Sequence, residues 1–241
     1  MEGGREKRGV LENGKSMSHS ERESNQKFRA IIFDLDGTLL DTLADIGDSV
    51  NGMLAERGYP DHGLDDYRRF IGNGIHKLVT RALPPAARSE GEVHTCVQRA
   101  REIYWENWNR KTRPYNGIGE LLDDLKNRDL PLAVLSNKPH DFTRRYVDAY
   151  FPEVPFRVVM GKADRFPAKP DPASALAIAK RICLSPSDFL FVGDSAVDMQ
   201  TANAAGMHAV GVAWGFRGEG ELLQNGCATL IDTPADLLDL L

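Results

Sequence analysis

Asp34 and Asp36 leave the end of an apolar run, Phe28-Arg29-Ala30-Ile31-Ile32-Phe33, and Gly37-Thr38 follows at once. Two carboxylates this close repel one another, and burial adds a desolvation cost to each charge. A divalent cation, a basic partner or a proton has to balance them. A lone Asp-x-Asp-Gly is equally a polar strand end with a glycine turn, so the weight falls on what stands elsewhere in the chain. Three more polar clusters follow in order. Ser136-Asn137-Lys138-Pro139 succeeds the apolar run at 130–135, and Ala168-Lys169-Pro170-Asp171-Pro172 comes next. Gly193-Asp194-Ser195, with Asp198 beyond it, follows the run Phe189-Leu190-Phe191-Val192. The collected side chains are four carboxylates (Asp34, Asp36, Asp194, Asp198), a hydroxyl and an amide (Ser136, Asn137) and an ammonium (Lys169). That set suits a hard cation together with a phosphate.

Such clusters act together only if the fold brings strand ends to one edge. A short β-branched and aromatic run bounded by Asp and Gly reads as a buried strand. Four further runs, at 130–135, 156–160, 189–192 and 209–213, read the same way. Helical segments are expected at 118–127, 140–150, after Asp171-Pro172 (an N-cap followed by an N1 proline) and at 197–204. This alternation implies an α/β fold, a Rossmann-like core with a parallel sheet flanked by helices. Ligands of open α/β sheets bind outside the carboxyl ends of the strands.

Between the first strand and this alternating region the pattern is helical. Residues 45–57 carry apolar Ile46, Val50, Met53 and Leu54, with Gly58 at a helix stop. Ile75, Leu78, Val79 and Leu83 recur at helical spacing, Pro84-Pro85 interrupts, and 90–108 resumes. An inserted all-α cap is therefore expected. The expected division is a disordered tail at 1–27, a catalytic core at 28–43 and 113–241, and a helical cap at 44–112. Met17 is an alternative start. Tyr104, Trp105 and Trp108 read as cap core.

Bulk properties exclude several classes. The 241 residues carry a formal net charge of -5, which implies no broad basic surface and so no nucleic-acid partner. Arg68-Arg69 and Arg144-Arg145 read as solvated helix faces. No apolar stretch reaches membrane-spanning length, so no membrane partner is expected. The first residues lack the apolar segment of a secretory signal. Cys96, Cys183 and Cys227 are odd in number and far apart, giving neither a disulfide framework nor a metal-spacing motif; reduced thiols in a cytoplasmic protein are expected. Cys183, between Ile182 and Leu184, reads as a small core residue.

In these motifs the chain resembles the haloacid dehalogenase superfamily, in the phosphoglycolate phosphatase-like branch. The four motifs of that superfamily match DLDGT, Ser136, Lys169 and GDSAVD, in order. The branch resemblance extends to FIGNGIHKLVTRAL, RPYNG, NKPHDFTRRYV and AWGFR, with Asn116 standing where many relatives carry proline. The resemblance implies Mg²⁺ held by Asp34, Asp194 and the backbone carbonyl of Asp36, with Asp198 behind them. It implies that Asp34 attacks phosphorus to form an aspartyl phosphate, while Asp36 gives a proton to the leaving alkoxide and later takes one from water. Ser136 and Asn137 then bind phosphoryl oxygens, Lys169 neutralises charge, and Thr38 orients Asp36 or steadies the turn. The loop Gly72-Asn73-Gly74 looks like the cap loop that enters the site in this family, although a plain turn between helices fits the same residues. Lys77, Arg68 and Arg81 could meet an acidic substrate, and each also reads as surface charge.

The implied activity is a Mg²⁺-dependent phosphatase acting on a small phosphorylated metabolite, with 2-phosphoglycolate the first candidate. A mutase of the β-phosphoglucomutase type would keep the same aspartates and return the phosphoryl group to a sugar. A non-catalytic phospho-ligand binding module would be expected to lack Asp34 or a metal carboxylate. Dehalogenation has no need of Asp36, and a phosphonate hydrolase would need a Schiff-base lysine in the cap, for which Lys77 is the nearest residue.

Overall fold

The computed structural model describes residues 28–163 and 165–241. The expected tail at 1–27, with Met17, lies outside the described residues. The sheet has six strands in the order β5-β4-β1-β6-β7-β8, all parallel. They are β1 (Ala30–Phe33), β4 (Leu132–Pro139), β5 (Val158–Lys162), β6 (Phe189–Gly193), β7 (His208–Val212) and β8 (Thr229–Ile231). β1 lies at the centre between β4 and β6, with Ile32 opposite Ala133 and Phe191. Every residue of β1 and β6 is buried, as expected of central parallel strands covered on both faces.

Two apolar layers sandwich the sheet because successive side chains of a strand point to opposite faces. Ile31 and Phe33 join one layer with Val134, Leu190 and Val192. Ala30 and Ile32 join the other with Ala133, Phe189 and Phe191. The flanking helices are α5 (Ile118–Asn127), α6 (His140–Tyr150), α7 (Ala173–Ile182), α8 (Ala196–Ala205) and α9 (Glu219–Gln224).

The chain leaves this core and returns to it through one narrow joint. β2 (Leu40–Asp41) pairs antiparallel with β3 (Arg113–Pro114). Between them stand α1 (Leu43–Glu56), α2 (Leu64–Phe70), α3 (Ile75–Ala82) and α4 (Glu90–Asn107). α1 packs on α2 and α4, and α3 on α2 and α4. Gly58 stops the first of these helices at φ +71°, a conformation in which a Cβ is strained. Asp45, in the first turn of α1, is buried. It accepts hydrogen bonds from the backbone N–H groups of Lys111 (3.0 and 2.9 Å) and Thr112 (2.8 Å) and from the Thr112 hydroxyl (2.8 Å). One carboxylate therefore ties the exit of the chain from the core to its return.

Several expectations shift. β4 runs on to Pro139, past the expected end at Leu135, because Pro139 pairs with Lys162 beyond an irregularity in the ladder. α7 starts one residue late: Pro172 is the N-cap, and Asp171 accepts from the N–H of Ala173 at 2.9 Å. Cys183 is exposed, not core, since it caps α7 in the left-handed conformation at φ 62° and turns outward. Trp105 is 45% exposed, whereas Tyr104 and Trp108 are buried. Arg145 is not a freely solvated charge, for its guanidinium lies 4.1 Å from the Trp105 ring centre and 4.7 Å from that of Trp108.

Candidate active site

The expected site residues reach one cleft by a simple route. Asp34 and Asp36 follow β1, Ser136, Asn137 and Lys138 lie at the end of β4, and Asp194 follows β6. These are carboxyl ends of adjacent parallel strands. Asp198 stands in the first turn of α8, where Ser195 and Asp198 form a reciprocal capping box. Lys169 comes from the loop before α7. Asp34, Asp36, Ser136, Asn137 and Asp194 line a cavity whose far wall is made by α1, α3 and α4.

Lys169 is the charge at the centre. Its Nζ lies 2.6 Å from Asp198 Oδ1 and 2.9 Å from Asp34 Oδ1, and donates to the carbonyl of Leu135 at 3.0 Å. Burial alone would pull the ammonium down, but Asp198 and Asp34 hold it above its ordinary value. The other oxygen of Asp198 accepts from the Ser195 hydroxyl (2.6 Å) and N–H (3.2 Å). Both oxygens of Asp198 are thus committed to protein donors, which leaves it to steady Lys169.

Asp34 and Asp194 are less well provided. Asp34 Oδ1 has no aligned hydrogen bond although Lys169 is near. Burial, opposed by Lys169 and reinforced by Asp198 and Asp36, pushes the Asp34 carboxyl up to about 7. Asp194 accepts from the N–H of Phe216 at 2.7 Å, yet burial and the neighbouring Asp198 and Asp34 push it well above the carboxylate range. Acidic oxygens of Asp34, Asp194 and Asp198 come within 4.8 Å of one another. Two under-compensated carboxylates facing a cleft are the donor set a hard divalent cation takes, so these residues fit Mg²⁺.

Two glycines shape this corner. A Cβ on Gly37 (φ +86°) would stand 2.2 Å from Asp194 Oδ2, and one on Gly215 would stand 2.2 Å from the Cβ of Asp194. Only bare backbone lets these segments close on Asp194.

Asp36 is held from two directions. The Thr42 hydroxyl donates to Oδ1 at 2.7 Å, and Lys138 Nζ lies 2.9 and 3.2 Å from the two carboxylate oxygens. Of the two parts expected of Thr38, orienting Asp36 or steadying the turn, the first falls to Thr42. The Thr38 hydroxyl is buried without a hydrogen-bond partner, and its carbonyl instead accepts from the Trp214 indole at 3.0 Å.

Asn137 clamps three segments. Its amide nitrogen donates to the carbonyls of Gly72 and Lys169, both at 3.0 Å, and its oxygen accepts from the N–H of Lys169 at 2.8 Å. This fixes Lys169 and draws the loop at Gly72 onto the core. Gly72 and Gly74 line the cavity, while Asn73 is turned to the Arg81 guanidinium at 2.8 Å. Arg81 also donates to the carbonyl of Phe70, so it braces the loop and does not face a substrate. Lys77 and Arg68 are exposed and lie outside the cavity wall.

Sequence reading assigned no part to Lys138, Thr42, Phe216 or Arg217. Lys138 carried a signal: it stands two positions beyond Ser136 on one strand, and residues i and i+2 share a face. Phe216 and Arg217 line the cavity from within the AWGFR run, and Arg217 donates to the carbonyl of Ile71 at 2.7 Å. Tyr104, read as core, also lines the cavity and touches Lys138.

The sequence matches the haloacid dehalogenase-like hydrolase family over residues 31–212. It is 34% identical to phosphoglycolate phosphatase 1 of Pseudomonas aeruginosa over 214 residues, covering 87% of this chain and 78% of the relative. It is 33% identical to a phosphoglycolate phosphatase of Haemophilus influenzae (strain 86-028NP), covering 90% of this chain and 100% of the relative. The crystal structure of a predicted phosphoglycolate phosphatase from Haemophilus somnus 129PT superimposes with a TM-score of 0.84 at 30% identity, covering 90% of this chain and 99% of that one.

Proposed function

Since the chain belongs to the haloacid dehalogenase-like hydrolases, we propose that it is a Mg²⁺-dependent phosphatase that hydrolyses a small phosphorylated metabolite, 2-phosphoglycolate first, through an aspartyl phosphate. The observation that carries this reading is the excess of buried acid over base at one point. Among the described residues, Asp34, Asp194 and Asp198 converge where a single ammonium, that of Lys169, bridges two of them. Such an arrangement is costly unless a cation completes it, and a cation held there also attracts an anionic phosphoryl group. Named relatives supply the substrate.

In this reading Asp34, which faces the cavity with one oxygen short of partners, attacks phosphorus in line. The P–O bond to the leaving group breaks as the Asp34–phosphorus bond forms. Asp36 gives the departing alkoxide its proton and then takes one from the water that cleaves the acyl phosphate. Ser136 and the N–H of Asn137 bind the phosphoryl oxygens. Lys169, fixed by Asp198 and the Leu135 carbonyl, stabilises charge on Asp34 and on the transferring group. Mg²⁺, held by Asp34, Asp194 and the carbonyl of Asp36, would lower the repulsion between nucleophile and phosphate. Residues 28–43 and 113–241 would act as the catalytic core and 44–112 as the cap that selects the leaving group.

Phosphate release from 2-phosphoglycolate and from a panel of phosphorylated metabolites, with Mg²⁺ and then with EDTA, tests the activity. Metal-dependent release, with phosphoenzyme trapped on rapid acid quench, is expected. Release that EDTA leaves intact, or turnover with no acid-stable phosphoenzyme in single-turnover experiments, would overturn the reading.

A further inference from the structure

We propose that Lys138 and Tyr104 are positioning residues for Asp36, and that through them the seating of the helical cap sets the carboxyl that handles the leaving-group proton. The inference rests on the acid/base part proposed for Asp36. Lys138 is an ammonium almost wholly enclosed, with 4% of its side chain exposed, and a buried ammonium is stable only where charges and acceptors surround it. Its surroundings are Asp36, at 2.9 and 3.2 Å, the Tyr104 hydroxyl at 2.8 Å, and the ring faces of Tyr104 and Tyr146, with centres 4.8 and 4.6 Å away.

The hydrogen bonds around it all point outward from the ammonium. The Tyr146 hydroxyl donates to the carbonyl of Trp108, so it must accept in its 2.6 Å contact with the Tyr104 hydroxyl. Tyr104 therefore donates to Tyr146 and accepts from Lys138, and Lys138 donates to Asp36. The ammonium is the source of the chain: it donates on one side to the core carboxylate and on the other through two phenols to a backbone carbonyl just past the end of α4.

The members belong to different parts of the fold. Asp36 follows β1, Lys138 lies on β4 and Tyr146 on α6, whereas Tyr104 is on α4 and Trp108 follows it. Movement of α4 away from the core would strip the ammonium of its phenol acceptor and of one wall of its aromatic cage. Asp36 would then be held by Thr42 and by an ammonium that has lost the contacts fixing it from the other side. With α4 in place, Thr42 and Lys138 hold the carboxylate from two sides facing the cavity. The same contacts link cap occupancy by a leaving group to the geometry of its proton donor, because Tyr104 lines the cavity the leaving group would fill.

The dependence of rate on leaving-group basicity tests this, since a plain packing role would lower all rates alike. The full chain with Mg²⁺ is assayed on substituted phenyl phosphates, from p-nitrophenyl to unsubstituted phenyl, as wild type, Lys138→Met and Tyr104→Phe. A well-placed acid flattens that dependence. Lys138→Met is expected to fall about tenfold further on phenyl than on p-nitrophenyl phosphate in kcat/KM, which reports the step that expels the leaving group, a fraction of the general-acid factor, and Tyr104→Phe is expected to shift the same way by less. Tyr104→Phe keeps the ring and its packing, so it decides the matter if Lys138→Met does not fold. Equal losses across the series, or no loss, would overturn the inference. A wild type that turns over none of the series and no phosphorylated metabolite would instead remove the phosphatase reading on which the inference rests.

Discussion

Lys169→Met removes the ammonium that separates Asp34 from Asp198 and keeps a chain of similar length. In the wild type this Nζ meets Asp198 at 2.6 Å, Asp34 at 2.9 Å and the Leu135 carbonyl at 3.0 Å, in a pocket from which solvent is excluded. Breaking a buried pair by deleting one partner costs about 3–5 kcal/mol, a large share of the roughly 5–15 kcal/mol by which a domain is folded. The loss should depend on pH in a direction fixed by Asp34. Its carboxyl is pushed from 3.8 up to about 7 in the folded protein, so the folded state binds that proton more tightly than the unfolded one. Metal-free stability therefore falls as pH rises through that window. Lys169 opposes this upward push, so its loss raises the Asp34 carboxyl further and steepens the fall. The gap between wild type and Lys169→Met should be widest near about pH 8 and narrow towards about pH 4, where Asp34 is protonated and no longer a counter-charge for the wild-type ammonium. Urea unfolding in EDTA at several pH values measures the gap. A gap that is the same at every pH, or absent at the alkaline end, would refute the placement of Lys169 as the compensating charge. Phosphatase turnover should fall by about 10²–10³-fold or more, the scale for losing one preorganised charge at the reacting group.

Asp34→Asn should abolish phosphoenzyme formation, because an amide is no substitute for the attacking carboxylate. The same change should raise the melting temperature in EDTA near about pH 8 by removing an ionised carboxyl whose burial disfavours it. Gly37→Ala places a methyl 2.2 Å from Asp194 Oδ2 at a positive φ, and should weaken Mg²⁺ binding at least about tenfold in a calorimetric titration. Asp45→Ala strips the acceptor from the N–H groups of Lys111 and Thr112 and the Thr112 hydroxyl; unfolding should cost less by about 2–4 kcal/mol in urea. Proteolysis should then open the β2–β3 joint before it opens the sheet.

Much of the fold was legible because it is written in local patterns. The apolar runs at 30–33 and 189–192 became central strands with every residue buried. The helices at 118–127 and 140–150 fell where their periodicity placed them. Three of the polar clusters, at Asp34, Ser136 and Asp194, could be tied to strand ends because each directly follows an apolar run, and parallel topology puts such ends on one edge of the sheet. Cys183 was misjudged because its apolar neighbours say nothing of the left-handed turn that swings it outward. Lys138 stood inside a motif already singled out and Thr42 just past DLDGT, but the linear sequence shows no partner for either.

Residue types and spacing alone thus determined the α/β order, the inserted helices, and the collection of carboxylates and a lysine suited to a cation and a phosphate. Tertiary structure decided which charge meets which. Lys169 joins Asp34 to Asp198 across residues far apart in the chain, Thr42 takes the place expected of Thr38, and Tyr104 of the cap reaches the ammonium that holds Asp36. The physical reason is range. Strand and helix patterns arise from neighbours along the backbone, whereas ion pairs, orphaned oxygens and raised carboxyl pKa values depend on burial and on distances of a few ångströms between distant segments, which exist only once the chain has folded.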